Sequence, residues 1–156
     1  MALVTVSTTL PADINTCFQL LKRTKTLCHV ARPWMTYNFN QSRYPQWIAG
    51  LTLDVQPTLH IGRLAIKLGS HMVRVLEVHD ETHTIKTAEH GGIIKRWDHT
   101  MHMTAVDGNL TKLTDAIIIE AGKLTPLATT YARLFYRHRQ KRWQALLEER
   151  LIGGNQ

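Results

Sequence analysis

The sequence predicts an α+β domain: a strand, two short helices, a run of antiparallel strands, then one long helix. Three observations carry this. Alternating, β-branched residues open the chain at Leu3–Thr9. Strand-like segments on short turns fill its middle, and such neighbours pair antiparallel. Nothing breaks the stretch from Thr125 to about Leu151, so it forms a single helix. A chain of 156 residues suits one hydrophobic core. The expected domain is 1–152, with a tail at 153–156.

Each element has its own local reason. LVTVSTT (Leu3–Thr9) is the first strand. Pro11-Ala12-Asp13 opens a helix in which Ile14, Cys17, Phe18 and Leu21 make one apolar stripe. A second helix covers Lys25–Ala31 and stops before Pro33, because the residue preceding a proline avoids the helical region. Trp34–Phe39 and Leu51–Val55 are strands, joined by a polar loop (Asn40–Gly50) that carries Tyr44 and Trp47. Gly62–Leu68 and Met72–Val78 follow as strands. Thr82–Glu89 and Ile94–Val106 flank a Gly91-Gly92 hairpin turn, and Asp107-Gly108-Asn109 leads into Leu110–Ala121.

Thr125-Pro126 supplies an N-cap and a proline at the first helical position. The helix it starts is about 39 Å long at 1.5 Å per residue. Leu127, Tyr131, Leu134, Phe135, His138, Arg142 and Ala145 share the face expected to lie on the sheet. Tyr136, Trp143 and Leu147 form a narrower stripe, either core beyond the sheet edge or a self-association surface.

Composition excludes several classes. Hydrophobic residues at 44% and charged residues at 20% are ordinary globular usage and argue against disorder. No apolar run approaches the roughly 18 residues of a membrane span, and MALVTVSTTL lacks a secretory pattern. Cys17 and Cys28 are too few for a disulfide framework, so a cytoplasmic protein is expected. Of nine histidines, His79 and His83 flank a turn, while His99 and His102 face opposite sides of a strand. Neither pair has metal-ligand spacing, so no metal and no cofactor is expected.

The net charge of +7 is uneven. Residues 1–122 carry 12 Lys+Arg against 10 Asp+Glu, and residues 123–156 carry 7 against 2. The excess is densest in Arg137-His138-Arg139-Gln140-Lys141-Arg142. Such a run is either a solvated helix face or a stripe for nucleic acid or anionic lipid. No helix-turn-helix, zinc-finger or aromatic RNA-binding signature accompanies it, which makes nucleic acid the poorer option.

VTVSTTLPADINTCFQLL at the start, GGIIKRWDHTMHMTAVDGNLTKLTDAIIIEAG in the last hairpins and the TP-initiated helix with YRHRQKRW together resemble the SRPBCC superfamily. That group holds START lipid-transfer domains, birch-pollen-allergen-like proteins and polyketide cyclase/dehydrase-like domains. The resemblance spans nearly the whole chain. It implies the helix-grip fold, a curved, roughly seven-stranded antiparallel sheet wrapped around the C-terminal helix. It also implies a cavity between sheet and helix for a small hydrophobic or amphipathic molecule.

Polar residues on apolar faces are then the informative ones. His99 interrupts the inward face Trp97, Met101, Met103, and Asp115 interrupts that of Leu113, Ile117, Ile119. A three-residue Asp107-Gly108-Asn109 loop pairs 99 with 117 and 101 with 115, which makes His99 and Asp115 diagonal neighbours. A buried Asp needs such a partner. Tyr131, Phe135 and His138 are expected to point from the helix toward the sheet, and Arg142 either lies past the sheet or caps the cavity. Tyr44 and Trp47 are lid or rim candidates, and either Trp34 or Tyr37 faces inward.

The expected ligand-binding residues are Trp47, Trp97, His99, Met101, Met103, Asp115, Ile117, Tyr131 and Phe135. The leading expectation is a binding or carrier module, monomeric or homodimeric, rather than an enzyme. The alternative is a polyketide-cyclase-type cyclase or dehydratase with His99, Asp115 and Tyr131 as acid–base groups. A weaker one is an RNA or anionic-lipid surface binder acting through the basic helix.

Overall fold

Alternation along the first segment makes β1 (Ala2–Leu10), which buries Val4, Val6 and Leu10 and leaves Leu3 and Thr5 outside. The structure is a computed structural model, and it describes residues 1–153. The expected tail therefore lies, except for Gly153, outside the described residues. Asp13 caps α1 (Ile14–Leu21) by accepting the Thr16 N–H at 2.9 Å. The helix buries Cys17, Phe18, Leu20 and Leu21. α2 (Thr24–Ala31) ends just before Arg32-Pro33.

Nine strands follow from the chain, not seven, and they form two sheets. β1, β3 (Thr52–Asp54), β6 (Met72–His79), β7 (Thr84–Gly91), β8 (Ile94–Asp107) and β9 (Leu110–Glu120) make the larger one, in the order β1-β9-β8-β7-β6-β3. β2 (Met35–Tyr37), β4 (Pro57–Ile61) and β5 (Leu64–Lys67) make the smaller, ordered β2-β4-β5. Every pairing is antiparallel. Sequence reasoning missed β4, because a proline opens it. Pro57 is tolerated there as the first residue of its strand. Val55 links the sheets, accepting from Asn38 N at 2.9 Å and donating to His71 O at 3.0 Å. Among the described residues no helix is long and apolar enough to cross a membrane.

The β8–β9 register is the predicted one, His99 opposite Ile117 and Met101 opposite Asp115. It arises differently. Asp107 pairs with Leu110, so the turn proper is Gly108-Asn109, and a bulge between Ala105 and Asp107 supplies the extra residue. The β7–β8 turn is likewise shifted to Gly92-Ile93, with Gly91 paired to Ile94 and Gly92 at φ +54°.

α3 (Thr125–Gly153) follows a 3₁₀ turn at Gly122–Leu124. The Thr125 hydroxyl ties the two together, accepting from Ala121 N and donating to Gly122 O. The helix is rotated relative to the expected face. Ala132, Phe135, Tyr136, Arg139, Gln140, Trp143 and Leu147 are buried, whereas Leu127 and Leu134 are exposed. Tyr136, Trp143 and Leu147, the narrower stripe, thus face the protein's own core and form no self-association surface. The hydrophobic pattern pointed the wrong way because the inward face includes Arg139 and Gln140. His138 and Arg142 turn instead to α2, bonding Arg32 O at 2.8 Å and His29 O at 3.4 Å.

Gly91 has a packing reason beyond its turn. A Cβ there would fall on the Ser70 carbonyl oxygen and lie 2.8 Å from the His71 Cα. Gly91→Ala is expected to destabilise the protein by about 1–3 kcal/mol, measured by urea denaturation. Unchanged stability would mean that the β6 approach yields freely.

Candidate functional site

α3 packs against β1 and β9 and leaves space beside the other strands. A cavity of about 720 Å³ remains there, within the usual range for small-molecule sites. Its wall is mostly apolar and includes Met35, Val55, Leu59, Met101, Phe135 and Trp143. The mouth is marked by Ile61, Leu68, Ile93 and Leu127, which are large, apolar and exposed. An exposed apolar rim around a hollow is a recognisable ligand entrance.

Of the residues expected to line it, Trp47, Trp97, His99, Met101, Tyr131 and Phe135 stand on the cavity wall. Met103, Asp115 and Ile117 do not. Met103 and Ile117 point to the predicted side but are sealed within the core, at 1% and 0% exposure, and Asp115 lies behind His99. Trp47 is 6% exposed core, and its loop is fastened by the Trp47 N–H to Lys22 O bond at 2.8 Å, so it is wall and not lid. Tyr44 packs against the same core cluster. Tyr37 lines the cavity, while Trp34 stacks on His138 with ring centroids 4.9 Å apart.

His99 and Asp115 meet as the register requires. His99 Nε2 is 2.7 Å from Asp115 Oδ1, with both residues buried. Gln140 Nε2 donates to Asp115 Oδ2 at 2.8 Å and to Val6 O at 3.0 Å. Burial pushes the Asp115 carboxyl up, but the His99 bond and charge, Arg139 and the Gln140 bond outweigh it and hold the group below its ordinary range. On the other side of the imidazole, the Tyr136 hydroxyl is 3.4 Å from His99 Nδ1 and accepts the Trp97 indole N–H at 3.1 Å. Tyr136 is thus the tyrosine beside His99. Tyr131 makes no hydrogen bond to either His99 or Asp115, and its buried hydroxyl has no partner among the described residues.

Other polar groups were not foreseen. Glu89 lines the cavity, held by His71 Nε2 at 3.1 Å and Thr87 Oγ1 at 2.7 Å. Burial raises its pKa, yet His71 and those other contacts bring it below normal. Arg139 also lines the cavity at 4% exposure. The only sequence signal for it was an arginine one turn after Phe135 on the core side of the helix, and the basic run concealed it. That run is dispersed by the fold: Arg139 and Gln140 are buried, His138 and Arg142 sit on α2, and Arg137 and Lys141 alone of the six are exposed. The thiols offer no nucleophile. Burial raises the Cys17 pKa and pushes Cys28 up to about 11.

No family model matches the chain, and no curated protein matches it by sequence. Solved structures do. A START superfamily protein from Mycobacterium smegmatis aligns with TM-score 0.62 and 15% identity, over 94% of this chain and 97% of that one. This chain shares the fold of that protein. The same START-type fold is shared by an aromatase/cyclase from a Streptomyces species (TM-score 0.69, 10% identity, 96% of this chain and 95% of that one). A Chromobacterium violaceum protein aligns comparably (TM-score 0.70, 12% identity, 94% and 96%). At such identities the likeness is one of fold, and function must be argued from the site.

The Asp115 interactions make a pH prediction. A carboxyl whose folded pKa is depressed contributes stability that is present above the unfolded value, about 3.9, and lost as pH falls through the folded one. Asp115→Asn places an amide N–H₂ against that of Gln140. It is expected to cost about 2 kcal/mol near neutrality and to flatten the acid limb below about pH 4. Urea titrations across pH check both. An unchanged acid limb would show that Asp115 takes no part in it.

Proposed function

We propose that the protein binds and carries a small hydrophobic or amphipathic molecule in the cavity beneath α3, as one domain over 1–152. The observation that carries this is the apolar hollow of about 720 Å³ with an exposed apolar mouth. An empty space of that size sacrifices dispersion contacts that a filled core would make, and a ligand restores them. The START-type fold of the relatives supports the same reading. The two free, buried cysteines suit a reducing compartment such as the cytoplasm.

A second reading, acid–base catalysis of the polyketide-cyclase type, has one observation in its favour: His99 faces the cavity, backed by Asp115 and flanked by Tyr136. Against it, the chain of contacts is complete within the protein. Trp97 donates to Tyr136, the Tyr136 hydroxyl and the Asp115 carboxylate occupy both imidazole nitrogens, and Gln140 takes the second carboxylate oxygen. No nitrogen of His99 is left over for a substrate atom, and the set has the character of a satisfied buried network.

Native mass spectrometry of the protein from its own host is expected to show one small molecule bound, released on denaturation. Ala128→Trp fills the cavity from α3 beside the half-buried Ala128. It is expected to weaken displacement-measured binding of an apolar fluorescent dye by at least about tenfold, with little change in Tm. Equal dye affinity in both proteins would move binding away from this cavity.

A further inference from the structure

We propose that the ligand carries an anionic oxygen pair, a carboxylate, and that Arg139 receives it inside the cavity. The inference rests on the cavity being the binding site, as argued above. It starts from a hydrogen-bond account. A guanidinium has five N–H donors and no acceptor. Arg139 is 4% exposed, yet it makes no hydrogen bond and no ion pair among the described residues, and its Nε is sealed from solvent without a partner. Its contacts are the faces of Tyr136 and Phe135, whose ring centroids lie 4.8 and 5.8 Å from Cζ. Those hold the cation in place without satisfying its donors.

Among the described residues no carboxylate hydrogen-bonds the guanidinium, although Asp115 and Glu89 lie close enough to favour its charge. Asp115 is taken by His99 and Gln140, and Glu89 by His71 and Thr87. Every other charged group at the cavity's inner part therefore has donors or acceptors of its own. Buried donors left without acceptors are expensive, and a planar fork of donors fits a carboxylate bidentately. Depth supports a head-first orientation. Arg139 lies twelve residues along α3 from Leu127 at the mouth, about 18 Å at 1.5 Å per residue. The wall between them, Ala128, Tyr131 and Phe135, suits an apolar body that trails toward the entrance.

The test compares dodecanoic acid, its methyl ester and dodecanol by calorimetric titration. The intact protein is expected to bind the acid at least about tenfold tighter than the ester or alcohol. Arg139→Gln is expected to bring the acid down to the ester's affinity and leave the ester's unchanged. The ligand-free variant should melt within about 5 °C of the parent, because the guanidinium has no hydrogen bond among the described residues to lose. Equal affinities for acid and ester in the parent would overturn the carboxylate inference and leave the cavity reading standing. No binding of any of the three would overturn both. Acid selectivity that survives in Arg139→Gln would overturn the role of Arg139. So would a variant that fails to fold, or one that melts more than about 5 °C lower, since the guanidinium would then belong to the protein's own ion balance.

Discussion

Everything in the site depends on how α3 is fastened. Gln140 donates to the Val6 carbonyl of β1 and to Asp115 of β9, two adjacent strands, from one side-chain amide. Gln140, Asp115 and Val6 are all buried, so water competes little with this polar clasp. A hydrogen bond to a buried carboxylate is worth more than a neutral exposed one, and the clasp fixes the rotation of the helix as well as its distance. With Gln140 turned inward, Phe135, Tyr136 and Arg139 must also face the strands. Toward the N-terminal end of the helix, Leu127 and Tyr131 line the cavity.

The contrast between two sets of polar side chains gives the site its character. Trp97, Tyr136, His99, Asp115 and Gln140 form a continuous hydrogen-bonded series that rigidifies the wall. Arg139 and Tyr131 border the same cavity with donors that none of the described residues accepts. Groups of the first kind specify a unique core, and those of the second kind mark where a ligand would complete the structure. The Phe18–Met103 and Val4–Ile119 clusters supply the buried apolar packing around these groups.

Much of the fold was legible in the sequence because its signals are local. Asp13 as N-cap, the alternation of β1, the proline-limited α2 and the long unbroken α3 are each written within a few residues. The His99–Asp115 contact was legible as well, since two inward strand faces and one loop length define it. What escaped depends on partners distant in sequence. β4 is short, begins with a proline and pairs with β2 twenty residues away. The face of α3 was misread because Gln140 and Arg139 count as outward by hydropathy, and only their contacts with β1, β9 and the cavity turn them in. Tyr136 replaced Tyr131 beside His99 for the same reason, a rotation of the helix by about one residue, near 100°.

The central claim is that an apolar hollow persists between α3 and the strands. Xenon enters apolar cavities of this kind, so crystals pressurised with it test the claim directly. Xenon density between Leu59, Met101 and Phe135, with the surrounding side chains unmoved, is the predicted result. Crystals in which those side chains meet across the gap and admit no xenon would contradict it.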